Sequence, residues 1–139
     1  MKRYIFAVAT IIICATAATK AQVAYLTTEE FKNKVFDYTK QKEWNYKGSV
    51  PCIIDFYTTW CGPCKRLAPI MEELSQDNKG KVYFYKVDTE KEPELATYFG
   101  IRSIPTILFC PVGAEPRVGQ GLMPKETLQN AINQILLKK

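Results

Sequence analysis

Residues 50–65 read VPCIIDFYTTWCGPCK, and this stretch contains both a reactive motif and the elements that position it. The apolar, aromatic and β-branched run over 50–57 predicts a strand buried on both faces. Residues 65–79 repeat apolar side chains with the i, i+3, i+4, i+7 spacing of an amphipathic helix, at Leu67, Ile70, Met71 and Leu74. Cys61 is therefore expected at the point where a strand is followed by a helix.

Cys61 and Cys64 have the spacing of two thiols that can close reversibly into a small disulfide, with Gly62-Pro63 between them. A thiolate is the nucleophile in disulfide exchange, and the free N–H groups of a helix's first turn favour a negative charge. Cys61 lies at that turn, so we expect it to attack. Cys64 lies one turn further in, so we expect it to be less accessible and to resolve the intermediate that Cys61 forms.

Two other readings of the cysteine pair are possible. Half a zinc site would need further Cys or His ligands. The chain has no histidine, and Cys52 and Cys110 fall in predicted strands that do not easily converge on the pair. A purely structural disulfide over so short a loop would stabilise the fold little. We therefore favour a redox pair, with no metal and no cofactor.

Asp55 lies inside the predicted buried strand, between Ile54 and Phe56. A carboxylate buried without a partner has a raised pKa, because a low dielectric disfavours its charge. Such a group is suited to accept a proton from Cys64, through a water molecule, when Cys64 attacks as a thiolate. The alternative is that Asp55 reaches solvent at the strand's end and is merely polar.

The motif WCGPCK after a strand ending in Asp-Phe-Tyr resembles the active site of the thioredoxin family. Asp55, six residues before Cys61, matches the family's buried carboxylate, and Pro69 falls where the family kinks its active-site helix. The resemblance covers about residues 23–137. It implies an α/β thioredoxin fold, in which a mixed central sheet is flanked by helices on both faces, and it implies protein thiol-disulfide exchange.

The resemblance also implies a substrate surface around the dithiol. Ile104-Pro105-Thr106 is similar to the family's cis-proline loop, which would turn the Ile104 backbone toward the cysteines, where an extended substrate can pair as an added strand. The expected surface residues are Trp60, Gly62, Pro63, Ile104, Pro105 and Gly121. Trp60 has the alternative of being a core aromatic. Many bacterial members place a lysine near the buried carboxylate, and by spacing that position is Phe84, so we expect Asp55 to lack a cationic neighbour.

The N-terminal residues have the pattern of a secretory signal peptide: a basic start, an apolar stretch over 4–18, and a small residue, Ala21. We expect a signal over 1–21 and a thioredoxin domain over 22–139, exported to the periplasm or secreted. The apolar stretch is shorter than the roughly 20 residues of a spanning helix, so stable membrane insertion is the weaker reading. Lipidation at Cys14 is disfavoured by the bulky residues before it.

The net charge is +5, from 19 basic and 14 acidic residues. Without residues 1–21, which contain three basic and no acidic side chains, 16 basic against 14 acidic residues leave +2. This nearly neutral domain has no charge pattern for binding nucleic acid.

We expect an exported reductase of protein disulfides. Gly62-Pro63 adds no charge or donor to stabilise the reduced form, so the pair is expected to be comparatively reducing. An oxidising compartment supplies no electrons, so a membrane-borne electron donor is implied. The alternatives are a dithiol oxidase or isomerase, and a binding module in which the cysteines are incidental.

The rest of the chain predicts the order β-α-β-α-β-α-β-β-α, ending in a hairpin and a helix over 125–137. Residues 41–49 are longer than the usual family connection; their aromatic residues cover a sheet edge or contact a partner. If Thr106 lies level with Phe56, Cys52 faces Cys110 across two antiparallel strands. That pair is either a second disulfide or a close but unbonded pair, and we expect the latter.

Overall fold

The computed structural model describes residues 22–138, so the predicted signal peptide over 1–21 lies outside the described residues. The elements follow the predicted order and are β1 Ala24–Tyr25, α1 Thr28–Lys34, β2 Cys52–Tyr57, α2 Gly62–Asp77, β3 Tyr83–Asp88, α3 Pro93–Tyr98, β4 Thr106–Cys110, β5 Arg117–Gln120 and α4 Lys125–Ala131. Within this part of the chain, no helix combines the length and apolar character needed to cross a membrane.

The five strands form one mixed sheet in the order β1-β3-β2-β4-β5. The β1, β3 and β2 strands run parallel, while β4 and β5 pair antiparallel. Alternate residues of β2 enter two separate core clusters: Ile53 packs with α2 and α4, and Ile54 packs with α1 and α3. Helices therefore cover both faces of the sheet, which confirms the predicted fold.

The central strand is buried as its sequence predicts, and its C-terminal end leads to the cysteine motif. β3 begins at Tyr83, whose side chain is 52% exposed, so this strand is not buried along its whole length. The physical reason is that β1 has only two residues. It pairs with Tyr85 and Lys86 and leaves the beginning of β3 uncovered.

The helix ends follow local sequence signals. Thr27 and Glu30 form a capping box, in which each side chain accepts from the other residue's backbone N–H. The last helix differs from the prediction, because α4 ends at Ala131 and the chain continues as a π-helix over Ile132–Leu136. Ile132 and Leu136 are nevertheless both buried in the core.

The long connection over 41–49 packs onto the core on the α1 and α3 side, rather than at an edge of the sheet. The Trp44 ring lies 4.9 Å from that of Phe36, centroid to centroid. The Tyr46 hydroxyl donates a hydrogen bond of 2.6 Å to the Val50 carbonyl. Both aromatic rings are partly buried against the same cluster, so this connection covers the beginning of β2.

The antiparallel pairing of β2 with β4 has the predicted register, with Phe56 opposite Thr106 and Cys52 opposite Cys110. Both cysteines are fully buried free thiols. Burial, followed by the hydrogen-bonding neighbour Cys52, raises the pKa of the Cys110 thiol. The expectation of a close but unbonded pair is confirmed.

Candidate active site

Cys61 lies between the end of β2 and the start of α2, as the sequence predicts. It is the N-cap residue of α2, and its sulfur accepts a hydrogen bond of 3.2 Å from the Cys64 backbone N–H. Cys61 and Cys64 form a disulfide, with their Cα atoms 5.2 Å apart. A donor aimed at the sulfur, together with the helix N-terminus, stabilises a thiolate on Cys61 once the disulfide is reduced.

Cys61 and Cys64 differ in their surroundings more than in their solvent exposure. Cys61 is 5% exposed and Cys64 is 4% exposed, so accessibility in the disulfide form scarcely distinguishes them. The Cys61 sulfur faces the Ile104 loop, whereas Cys64 borders a partly open cavity of about 60 Å³ next to Asp55. The observed difference in accessibility is thus small, but the two sulfurs have different surroundings.

Asp55 is buried, being only 4% exposed, and Oδ1 has no hydrogen-bond partner among the described residues. Burial raises the pKa of this carboxyl from 3.8 to about 7, while the positive charge of Lys86 acts in the opposite direction. The alternative of a solvated Asp55 is therefore wrong. The cavity shared with Cys64 is large enough for water, so a proton has a short route between the two side chains.

The expectation that Asp55 lacks a cationic neighbour is wrong. Phe84 precedes by two residues the β3 position that pairs with Asp55, and its side chain is buried in the core. Lys86 is the residue paired with Asp55 in the parallel β2–β3 register, and it lines the same cavity. Spacing along the sequence pointed to Phe84, whereas the register of β2 and β3 places Lys86 beside the carboxyl.

The loop over residues 104–106 faces the disulfide, as the resemblance implies. The Ile104–Pro105 peptide bond is cis, and the Ile104 carbonyl oxygen lies 3.8 Å from the Cys61 sulfur. The Gly121 N–H donates a hydrogen bond of 2.8 Å to the Pro105 carbonyl. Gly121 has φ +82°, a conformation that favours glycine. These contacts bring Ile104, Pro105 and Gly121 to the same end of the sheet as Cys61.

Trp60 belongs to the surface rather than to the core, since its side chain is 66% exposed. Its Nε1–H donates a hydrogen bond of 2.8 Å to Glu90 Oε1, in the loop after β3. Gly62 and Pro63 are also exposed, at the beginning of α2. The exposed motif residues therefore surround Cys61 and leave an apolar rim for a polypeptide to contact.

Sequence reasoning missed two residues of this site. Lys86 carries a signal in the sequence, because it is the single charged side chain in the run 82–87 of an otherwise apolar strand. Glu90 carries no such signal, since an acidic residue in a charged loop is common. Only the tertiary structure brings Glu90 to Trp60.

The sequence profile of the Thioredoxin family matches residues 22–134, which is most of the chain. The chain belongs to the thioredoxin family. It is 50% identical over 107 residues to "Thioredoxin" of Borreliella burgdorferi (strain B31), an alignment covering 77% of this chain and 92% of that protein. With the Cys61–Cys64 disulfide, this family membership makes the protein a thioredoxin-type protein-disulfide oxidoreductase.

Solved thioredoxin structures show the same architecture. Chloroplastic thioredoxin z superposes with a TM-score of 0.70 at 26% identity, over 82% of this chain and 94% of that one. The thioredoxin of Malassezia sympodialis gives a TM-score of 0.67 at 32% identity, over 83% of this chain and 91% of that one. The thioredoxin fold is thus shared.

Proposed function

We propose that this thioredoxin is exported and reduces protein disulfides outside the cytoplasm. The observation that carries the reductase part is the Cys61–Cys64 pair itself, placed at the start of α2 with Asp55 behind it. The N-terminal pattern over 1–21 supports export. A membrane-borne electron donor follows from the compartment, because something must return electrons to the oxidised pair.

The reaction begins with the dithiol reduced. The Cys61 thiolate attacks one sulfur of a substrate disulfide, which breaks the substrate S–S bond and forms a mixed disulfide. The other substrate sulfur leaves as a thiolate and takes up a proton. Cys64 then loses its proton to Asp55 through the shared cavity and attacks the Cys61 sulfur. The second substrate thiol is released, so the substrate gains two electrons and two protons while Cys61 and Cys64 become a disulfide.

Substrate positioning is assigned to the rim of the site. Trp60, Gly62 and Pro63 provide the apolar contact surface, and the backbone of Ile104 beside Cys61 provides hydrogen-bonding groups for an extended segment. Pro105 and Gly121 hold that backbone in place through the hydrogen bond that joins them.

Cysteine substitutions test the assigned roles. We expect Cys61→Ser to reduce disulfide reduction to background, because the attacking thiolate is gone. Cys64→Ser should still attack but not resolve, so mixed disulfides accumulate through Cys61 and appear as dithiothreitol-sensitive adducts on gels. Cys110→Ser, a change outside the site, is the control. A Cys64→Ser variant that turns over at near the wild-type rate would show that the roles are wrongly assigned.

The reduction potential of the Cys61–Cys64 pair tests the direction of the reaction. Equilibration against glutathione mixtures of known potential, followed by trapping with a thiol reagent, should give a value close to that of reducing thioredoxins, about −270 mV, rather than about −120 mV, as for a strong dithiol oxidant. A potential near the oxidising value would favour the oxidase alternative.

A further inference from the structure

Three side chains form a row across the parallel part of the sheet. In the strand registers, Tyr25 of β1 pairs with Lys86 of β3, and Lys86 pairs with Asp55 of β2. Paired residues of parallel strands point to the same face. An aromatic ring, a cation and a buried carboxyl are therefore side by side on the face that α2 covers.

The ammonium of Lys86 lies on the outer side of this row. Its Nζ is 4.3 Å from the centroid of the Tyr25 ring and 6.0 Å from that of the Tyr57 ring. Among the described residues, no carboxylate oxygen lies within 4.0 Å of it. Lys86 thus acts on Asp55 only at a distance, and its charge lowers the pKa of the carboxyl less than burial raises it.

Lys86 is the one cation that acts on Asp55 in the described part of the chain. The α2 helix contributes Cys64 and Glu72 to the lining of the cavity beside Asp55, and β2 itself contributes Tyr57. From β4, the residue opposite Asp55 is the uncharged Ile107. The position of a single ammonium therefore decides how much positive charge the carboxyl experiences.

We propose that Tyr25 is a positioning residue whose ring competes with Asp55 for the ammonium of Lys86. In this structure the ammonium lies over the ring and outside ion-pair distance of the carboxylate. Tyr25 is exposed on the edge strand, and it contacts two neighbours of Asp55, Lys86 through its ring and Tyr57 through its hydroxyl. By holding the ammonium out of ion-pair distance, the ring keeps Asp55 able to exchange a proton near neutral pH; the catalytic consequence rests on the proton-acceptor role proposed above.

The test is a direct titration of Asp55 by carbon-detected NMR in the oxidised protein, where the two cysteines do not titrate. We expect Tyr25→Leu to lower the pKa of Asp55 by about half a unit, because an exposed cation–π contact is worth less than one pKa unit. Tyr25→Phe keeps the ring and removes the hydroxyl, so it should leave the titration unchanged.

Combining Tyr25→Leu with Lys86→Gln tests whether Tyr25 changes the pKa of Asp55 through Lys86. We expect Lys86→Gln to raise the pKa of Asp55, and Tyr25→Leu to have no further effect in that background. The proposal is overturned if Tyr25→Leu leaves the pKa unchanged or raises it, or if its effect persists without Lys86. Circular dichroism of each variant checks the fold, which an exposed edge residue should not disturb.

The catalytic consequence is measured separately, as the pH profile of mixed-disulfide resolution. In Tyr25→Leu the profile should move to lower pH by the same amount as the NMR titration. If the NMR titration moves and the resolution profile does not, the Tyr25 proposal stands and the proposed role of Asp55 in the reaction falls.

Discussion

Asp55 is a buried carboxyl with a raised pKa, and its titration couples function to stability. The unfolded chain loses this proton near pH 3.8, whereas the folded protein keeps it to about pH 7. Stability therefore falls as pH rises between these two values, and it stays low above the folded pKa. This loss of stability comes from Asp55, the residue that the proposed reaction uses as a proton acceptor.

We expect Asp55→Asn to stabilise the oxidised protein at pH 8 and to change its stability little at pH 4. The shift from 3.8 to about 7 corresponds to a penalty of up to about 4 kcal/mol above pH 7, which a neutral side chain removes. Denaturant unfolding of both proteins at the two pH values measures this. An unchanged or lowered stability at pH 8 would mean that Asp55 is effectively solvated.

The same variant should slow the resolution step. Loss of a general base lowers a reaction rate on the order of 100-fold. In the unsubstituted protein the resolution rate should rise as Asp55 ionises near pH 7, and Asp55→Asn should abolish that rise. Stopped-flow measurement of mixed-disulfide decay from pH 5 to 9 gives the profile. Asp37→Asn is the control for loss of a carboxylate, because Asp37 does not line the cavity that Asp55 shares with Cys64.

At the scale of elements, the β2–β4 pairing determines which side chains meet in the core. It places Cys52 and Cys110 directly opposite each other, at the end of β2 that lies away from the active site. Their thiols are enclosed by the core cluster that includes Tyr46. A close thiol pair in a sealed core is stable as a free pair, because no oxidant reaches it while the fold is closed.

We expect both of these cysteines to remain free in the processed protein. After mild reduction of the active site, denaturation and alkylation, the intact mass should show four labelled thiols. Cys110→Ser should show three, which calibrates the count. Two labelled thiols in the unsubstituted protein would reveal a second disulfide between Cys52 and Cys110.

A partly buried hydrogen bond joins the connection over residues 41–49 to the chain just before β2. The Tyr46 hydroxyl donates to the Val50 carbonyl, and burial raises the pKa of this tyrosine. Tyr46→Phe leaves that carbonyl without its donor, so it should cost about 1–2 kcal/mol of unfolding free energy. Tyr83→Phe, at an exposed position, is the control and should be nearly neutral. Equal effects of the two changes would contradict the assignment.

At the scale of the whole molecule, we propose separate roles for the N-terminal segment and the folded domain. The family match begins at residue 22, where the described structure also begins. The thioredoxin domain therefore contains all the residues of the proposed site, and we propose that residues 1–21 direct export.

We expect the protein to be exported and to start near residue 22 after processing. Cell fractionation with intact-mass analysis of the recovered protein tests this. Ile12→Asp interrupts the apolar stretch, so the variant should stay in the cytoplasm at full length. Recovery of the unsubstituted protein with an intact N-terminus from the cytoplasm would overturn the proposed location.

The sequence by itself determined the parts of this protein that depend on local chemistry. Cys61 and Cys64 were identified by their spacing and by their position between a strand and a helix, and Asp55 by its place inside an apolar run. The order of the elements followed from hydrophobic periodicity and turn residues. These features survive in the structure because strand burial, helix capping and turn formation are properties of a few consecutive residues.

The tertiary structure alone decided which distant residues complete the site. Asp55 lies beside Lys86, and Trp60 donates a hydrogen bond to Glu90; in each case the partner is about 30 residues away in sequence. Tyr25 meets Lys86 only because β1 joins the edge of the sheet. A shift of one residue in strand register would exchange every such partner. Register is set by how the whole core packs, which no short stretch of sequence encodes.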